Sequence, residues 1–427
     1  MDVSDLGWLF TLDSMTLLMM FWYVAVIEAP RFIFPALYLG TRELFSRQRQ
    51  FPALGANTPG AHRQTISVLL PGHNEGDSLV RAVRGLAEQT LKPDQIVIVD
   101  DGSTDNMAEI GRRLKAQGLV DVFVSTGLRG GKAAAHNLGI VYCTGDIIVS
   151  ADIDTSFDRD ALERLIEPFG DPRVGAVSGN IGVRNWDANL MTRLQAIMYL
   201  SAIGLGRRVN DMLFGLMVAS GAFAAFRREA IESVGGWTAG PGEDGDISTR
   251  LRRTGWVIRF QPDAWALTDV PETLSAFMRQ RLRWNRSYTM LRMRKHAHIM
   301  NPFRSNFCLR DAIGTYDTLY FDFSRPIAYV ASTCWLFAEY GHQAWPIIAM
   351  VMVFYLILTF PMFWMASALA GEYGHRRLLV YLPAAMLFNA FIYRPATFYA
   401  YFTELLWRQG YQDSFVPSRI NKRIDQF

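Results

Sequence analysis

The sequence predicts an α/β domain built on a mostly parallel sheet and flanked by transmembrane and interfacial helices. Three observations lead there. Between about residues 62 and 300, short apolar runs alternate with helical patterns. Long uncharged or nearly uncharged runs stand at both ends of the chain. The averages fall in between: of 427 residues, 50% are hydrophobic and 19% charged, and mean hydropathy is +0.09. A disordered chain would be more polar, and a chain wholly embedded in a membrane more apolar.

The chain divides into 1–50, an anchor and linker; 62–300, the α/β domain; and 301–427, interfacial and transmembrane helices. Leu6–Ile27 contains one ionisable residue, Asp13, and matches the roughly 20 apolar residues that a span requires. Asp2 and Asp5 precede it, whereas Arg31, Arg42, Arg47 and Arg49 follow. The positive-inside rule then puts the N-terminus outside and the following domain in the cytoplasm. In the middle, Thr65–Leu70, Gln95–Val99, Val120–Val124, Asp146–Ser150 and Val174–Val177 read as buried strands. Leu79, Val83 and Leu86 mark one face of the helix between the first two. At the C-terminal end, Trp345–Ala370 carries no charge and is long enough to span. Ile327–Phe337 and Leu378–Tyr393 are shorter candidates, and two to four spans are expected. Arg376 and Arg377 indicate a cytoplasmic loop between the last two runs, and Arg394-Pro395 is expected to break the final one.

Composition excludes several classes. A net charge of +3, from 43 basic and 40 acidic residues, does not fit a nucleic-acid binder. Cys143, Cys308 and Cys334 form no CxxC and no even framework, which argues against a disulfide scaffold or a structural zinc site.

Ligands of open α/β sheets bind at the carboxyl ends of strands, and four acidic features fall at such places. Pro71-Gly72-His73-Asn74-Glu75 follows the first strand. Asp100-Asp101-Gly102-Ser103-Thr104-Asp105 follows the second. There, Asp101 or Ser103 caps the next helix, or the paired carboxylates hold a ligand. Asp152-Ile153-Asp154 follows the fourth; in an extended segment both carboxylates would face one way. Such hard oxygen donors suit Mg²⁺ or Mn²⁺ sharing its shell with substrate phosphates. Gly242-Glu243-Asp244-Gly245-Asp246 opens a helical pattern and offers either dipole-favoured carboxylates or a general base, with Asp246 the alternative to Asp244. Two cationic segments accompany them: Arg129-Gly130-Gly131-Lys132, and the acid-free run from Arg279 to Lys295. That run reads as a basic helix on anionic lipid that also supplies a pyrophosphate contact. His296 and His298 read as exposed helix residues.

Taken in order, Pro71–Glu75, Asp100–Gly102, Gly131–Ala133, Asp152–Asp154, Glu243–Asp244 and Gln280-Arg281-Leu282-Arg283-Trp284 resemble the motifs of family 2 glycosyltransferases. QxxRW narrows the resemblance to the membrane-integrated processive branch: hyaluronan, chitin, cellulose and poly-N-acetylglucosamine synthases. The likeness implies a family A nucleotide-sugar-binding fold. It implies that Asp100 or Asp101 contacts the uracil of a UDP-sugar and that Glu75 joins the donor site. Lys132 and Arg283 would approach the diphosphate, and Asp154 with Asp152 would hold the metal there. Asp244 would deprotonate the acceptor hydroxyl, and Gln280 and Trp284 would bind the acceptor sugar. Ser220–Phe223 and Gly235-Gly236-Trp237 look like acceptor-side segments. One departure is Gly242, where the family places threonine.

A single base fits an inverting transfer that builds a β-linked polysaccharide and passes it across the membrane. UDP-N-acetylglucosamine is the first expected donor and UDP-glucose the second. The expected partners are the growing polysaccharide, membrane lipid and accessory or export subunits. The expected location is a bacterial inner membrane. The alternatives are transfer of one sugar to a lipid acceptor, or a non-enzymatic sugar-nucleotide-binding subunit.

Overall fold

The computed structural model describes residues 24–46, 64–304, 307–412 and 417. The predicted span Leu6–Ile27 lies outside these residues except for its last four. The flanking Asp2, Asp5, Arg47 and Arg49 and the tail with Arg419, Lys422 and Arg423 also lie outside them. The first described helical stretch, Val24–Ile33, continues into α1 (Phe34–Ser46).

The domain contains β1 (Ile66–Gly72), α2 (Gly76–Ala87), β2 (Gln95–Asp100), α3 (Met107–Ala116), β3 (Val122–Ser125), α4 (Lys132–Tyr142), β4 (Ile147–Ala151) and β5 (Ser156–Phe157). It continues through α5 (Ala161–Ile166), β6 (Val174–Val183), α6 (Leu190–Tyr199), α7 (Arg207–Phe214), β7 (Phe223–Arg227), α8 (Arg228–Ser233), α9 (Glu243–Arg253), β8 (Val257–Thr268) and α10 (Leu274–Met290). All five predicted strands are present. They are joined in one sheet of order β3-β2-β1-β4-β7-β6-β8-β5.

The first half of this sheet is parallel because each strand returns through a crossover helix, α2, α3 or α4. The chain runs outward from β1 to β3, then jumps back to place β4 beside β1. That reversal opens a crevice beyond the carboxyl ends of β1 and β4, the usual ligand position of such sheets. The second half is mixed. β7 runs antiparallel to both β4 and β6, β6 and β8 are parallel, and β5 is antiparallel to β8. The apolar runs did not reveal β7 or β8. In β8, Pro262 and Asp263 interrupt the hydrophobic pattern, and the ladder shifts register opposite them, between Gly179 and Asn180.

Both faces of the sheet are covered, so its strands read as continuous apolar runs. Val68, Leu70, Ile98 and Val149 pack with Leu79, Val83 and Leu86 of α2 on one face. Leu69, Val97, Val99 and Ile148 pack with Ala133, Ala135, Trp237 and Leu251 on the other.

Beyond the domain lie α11 (Leu309–Leu319), α12 (Arg325–Tyr340), α13 (Ala344–Leu369), α14 (Leu382–Phe388) and α15 (Arg394–Trp407). Two continuous runs among them, Arg325–Leu369 and Gly371–Trp407, are long and apolar enough to cross a membrane. Trp345, Ile357, Phe360, Trp364, Leu406 and Trp407 point outward from them, as lipid-facing side chains would. The connection carrying Arg376 and Arg377 rests on the α/β domain. Tyr373 donates a hydrogen bond to Asp158, the ring of His375 stacks on Trp186 at 4.1 Å, and Arg193 donates to Tyr381 Oη at 2.9 Å. Arg394-Pro395 does not break the last run, contrary to expectation. Pro395 sits in the first turn of α15, where a missing N–H is tolerated, and a wider helical turn, Asn389–Tyr393, precedes it.

Candidate active site

The loops after β1 and β2 are stitched together before they reach the crevice. Asn74, at φ 60°, accepts from Thr104 N at 2.8 Å and donates through its own N–H to Ser103 Oγ at 2.8 Å. His73 Nδ1 meets Asp101 O at 2.9 Å. Asp100 is buried, and its two carboxylate oxygens accept from Ser103 N (2.9 Å) and Ser125 Oγ (2.6 Å). Asp101 accepts from the amides of Gly130 (2.6 Å) and Gly131 (2.7 Å). The Asp100–Asp101 pair therefore shapes the loops instead of capping α3; Asp105 Oδ1 accepts from Met107 N at that helix start. Gly131 has φ 89°, a conformation that glycine adopts without strain, so the chain turns sharply into α4 at Lys132. Pro417 lies beside this turn: a Cβ on Gly131 would stand 3.4 Å from its Cδ.

Lys132 is the hub. Its Nζ lies 2.5 Å from Asp152 Oδ1, 3.3 Å from Gly221 O and 3.8 Å from Glu243 Oε1. Burial alone would lower its pKa; Asp152 and Glu243 outweigh that and raise it. The amino group is a fixed cation. His136, one turn along α4, holds this geometry. Its Nδ1 donates to Lys132 O (2.9 Å), so Nε2 accepts from Ser150 Oγ (2.7 Å) just ahead of Asp152. Burial and the nearby Lys132 push its pKa down to about 3, which keeps the ring neutral.

The Asp152–Asp154 segment is a turn, not the extended stretch that alternation assumed: Thr155 N donates back to Asp152 O at 3.2 Å. The buried Ile153 packs beneath it. Arg184 braces the turn, its Nη2 donating to Asp154 O at 3.1 Å. Even so, the acids converge. Burial and Asp152 raise the pKa of Asp154. Burial, then Asp154, Asp152 and Asp105, push Glu75 up to about 7. Crowded carboxylates disfavour a common negative charge, which a hard divalent cation would relieve. Among the described residues no three His, Cys, Asp or Glu side chains converge tightly enough to hold a metal alone. The Asp152–Asp154 pair, with hard oxygen donors, suits an ion that takes the rest of its shell from phosphate and water.

Glu243 and Asp244 enter from the N-terminus of α9. Asp244 Oδ2 accepts from Gly221 N (3.3 Å), and its Oδ1 accepts from Gly245 N (2.8 Å). Glu243 faces Lys132. Burial pushes its carboxyl up, against the pull of Lys132. Gly242 has φ 77°, and a Cβ there would lie 2.8 Å from Leu291 Cδ1. A threonine at this position would be strained and crowded, which accounts for the departure noted above. Asp246 is not a spare base. It is 1% exposed and faces away into Arg250 (2.9 Å), Lys295 (2.8 Å), His296 (2.8 Å) and Thr238. His296 is therefore buried against an acid, not exposed as expected. Trp237 is also interior, stacked on His136 at 4.6 Å, and offers no open face to an acceptor.

Sequence reasoning passed over Arg207. Its Nη1 donates to Ser178 Oγ (3.1 Å), and burial pushes it down to about 10, with Asp244 and Tyr199 opposing. Nothing in its local sequence distinguishes it; only the fold brings it near Asp244.

Gln280, Arg283 and Trp284 lie on one helix, α10, as predicted. Trp284 is 40% exposed and Gln280 Oε1 is buried without a partner. Three other cations of the basic run stitch α10 and its continuation to neighbouring elements. Arg286 donates to Thr403 (3.3 Å), Arg294 pairs with Glu404 (3.0 Å), and Lys295 pairs with Asp246.

The model described as "Glycosyl transferase family 2" matches residues 67–235. Over those residues, from β1 to α8, the chain is similar to family 2 glycosyltransferases. Among curated proteins, the chain is similar to poly-beta-1,6-N-acetyl-D-glucosamine synthases. Identity is 35% over 221 residues for the Staphylococcus aureus (strain MSSA476) protein, covering 51% of this chain and 53% of the relative. For the Staphylococcus epidermidis protein it is 34% over 227 residues, covering 52% and 55%. The match thus spans about half the length of these relatives. Among solved structures, a mannosyltransferase from Pyrobaculum calidifontis in complex with GDP-Man and Mn²⁺ superposes with a TM-score of 0.60. It covers 91% of this chain and 99% of its own, at 20% identity. That likeness speaks to the fold of the glycosyltransferase domain and its companion helices.

Proposed function

We propose that this protein is a processive, inverting glycosyltransferase. It polymerises a β-linked polysaccharide from a UDP-sugar, UDP-N-acetylglucosamine first and UDP-glucose second. One observation carries the reading: a single lysine at the sheet's switch point joins the turn after β4 to the acidic start of α9. This brings a cation and a candidate metal-binding acid pair within reach of a candidate base. The similarity to poly-beta-1,6-N-acetyl-D-glucosamine synthases supports the choice of sugar.

Each residue has a task in this reading. Asp101, through Gly130 and Gly131, shapes the wall that meets the uracil, with Asp100 behind it. Lys132 and Arg283 neutralise charge developing on the leaving diphosphate. Asp154 with Asp152 would hold Mg²⁺ or Mn²⁺, which supplies electrostatic stabilisation to that leaving group when bound, and Glu75 lines the donor site beside them. Asp244 takes the proton of the acceptor hydroxyl, while Gln280 and Trp284 orient the acceptor sugar. With one base opposite the leaving group, the displacement inverts the anomeric centre.

In this reading residues 62–300 form the cytoplasmic catalytic domain. Residues 1–50 and 301–427 anchor it in the bacterial inner membrane, in contact with lipid and with any accessory or export subunits. The test is purified full-length protein in lipid nanodiscs with a panel of UDP-sugars. UDP release together with a large product from one donor supports the proposal. A product of one sugar on lipid replaces it with the lipid-acceptor reading, and nucleotide binding without release replaces it with the non-enzymatic one.

A further inference from the structure

Arg281 lies inside the Gln280–Trp284 segment but plays no part in the roles above. Its side chain is 8% exposed, and its Nε and Nη2 meet no hydrogen-bond partner. No ion pair to it is found among the described residues. Its guanidinium is instead boxed by rings: the carbon lies 4.4 Å from the centroid of Trp284, 5.3 Å from Phe277 and 5.6 Å from Tyr199. Aromatic faces attract a cation but offer no acceptor to its in-plane N–H groups. A buried lysine could escape by losing its proton; an arginine stays charged. The arrangement leaves a buried cation with two of its three nitrogens, Nε and Nη2, meeting no acceptor.

The neighbours indicate what is missing. Gln280 Oε1, next in sequence, is also buried without a partner and requires a donor. Tyr199, one of the three rings, lies with Asp244 in the electrostatic surroundings of Arg207. Tyr199 thus links the box around Arg281 to the surroundings of Arg207. Arg281 also lies where the domain meets the C-terminal helices: Phe277 packs edge-on against Phe388 at 5.2 Å, and Asn285 donates to Thr397 at 3.2 Å. A ligand that satisfies an unpaired guanidinium and an adjacent unpaired carbonyl carries both an oxyanion and hydroxyls. The planar fork of arginine matches phosphate oxygens in particular.

We infer that Arg281 is a phosphate-binding residue, its aromatic box holding the guanidinium edge-on toward a phosphate that belongs to a sugar-bearing substrate. Two sources share that chemistry, the donor diphosphate and a lipid-carried phosphate at the helix boundary. The inference rests on the nucleotide-sugar reading of the crevice, and the test separates the two.

The test uses full-length wild type, Arg281→Met and Arg281→Lys in neutral phosphatidylcholine nanodiscs. Calorimetry measures affinity for UDP with Mn²⁺ and for uridine; flotation measures binding to vesicles containing a polyprenyl phosphate. Arg281→Met should keep or raise the melting temperature, because it replaces an uncompensated buried charge with a side chain that packs against the rings. It should weaken phosphate binding about tenfold or more and leave uridine unaffected. Arg281→Lys, a point charge without the fork, should fall in between. Loss confined to UDP identifies the donor diphosphate, and loss confined to the vesicles identifies the lipid phosphate. If both probes bind Arg281→Met as they bind wild type, or if the melting temperature falls while both affinities hold, Arg281 is a packing residue and the inference is overturned. If wild type binds neither UDP nor the vesicles, the nucleotide-sugar reading fails with it.

Discussion

Lys132 Nζ stands 2.5 Å from Asp152 Oδ1, which ties the first residue of α4 to the turn beyond β4. The same amino group faces Glu243 at 3.8 Å, so one cation offsets acids from two distant segments. Asp154 and Glu75 lie beyond it: burial first, then neighbouring acids (Asp152 for Asp154; Asp154, Asp152 and Asp105 for Glu75), raises both pKa values.

A divalent cation should therefore be required for turnover. Activity should vanish in EDTA and return with Mg²⁺ or Mn²⁺. Asp154→Asn should lose about 10² or more in kcat. Wild-type turnover in EDTA, or from Asp154→Asn, would rule out the assignment.

Asp244→Asn keeps size and, through its one remaining side-chain oxygen, one of the two backbone contacts, but loses basicity. UDP affinity should stay near wild type while turnover falls by about 10² or more. Because Asp246 is fully engaged by Arg250, Lys295, His296 and Thr238, it cannot substitute. A normally active Asp244→Asn would move the base to another residue of the crevice, with Glu243 the first to examine.

Trp284 should act as a stacking platform. It is half exposed on α10 and also covers one face of Arg281 at 4.4 Å. Trp284→Ala should abolish polymer growth in folded protein, measured as product length against released UDP. If Trp284 only anchors the helix at the head groups, Trp284→Leu should restore product of normal length.

Asp246 should make stability pH-dependent. Burial raises its pKa, but hydrogen bonds and charges from His296, Lys295 and Thr238 outweigh this and hold it well below the ordinary carboxylate range. A depressed folded-state pKa gives stabilisation that is complete above the unfolded value and fades as pH falls toward the folded one. Thermal unfolding of the wild type should thus weaken from about pH 5 downward. Asp246→Asn leaves Lys295 and Arg250 uncompensated and should cost about 3–5 kcal/mol near neutrality, with a flatter acid slope. Equal acid slopes in the two proteins would assign the loss to other carboxylates.

The sequence by itself determined the alternation of strand and helix, the acid-bearing strand ends and the apolar C-terminal runs, because each is a local pattern. Continuous apolar strands mark a sheet covered on both faces, and a chargeless run of 26 residues such as Trp345–Ala370 is long enough to cross a bilayer. The motifs around Lys132, Asp154 and Asp244 were legible for the same reason. Which of those acids share a cation was decided only by the tertiary structure. Lys132 and Glu243 are 111 positions apart in sequence and 3.8 Å apart in space, and no periodicity encodes such a distance. Asp244 and Asp246 look interchangeable as letters. The first turn of α9 separates them, sending one toward Gly221 and the other into the interior against His296. Arg207 and Arg281 carry no local signature either. The significance of Arg207 comes from its approach to Asp244, and that of Arg281 from burial among aromatic rings, both properties of the packed molecule alone.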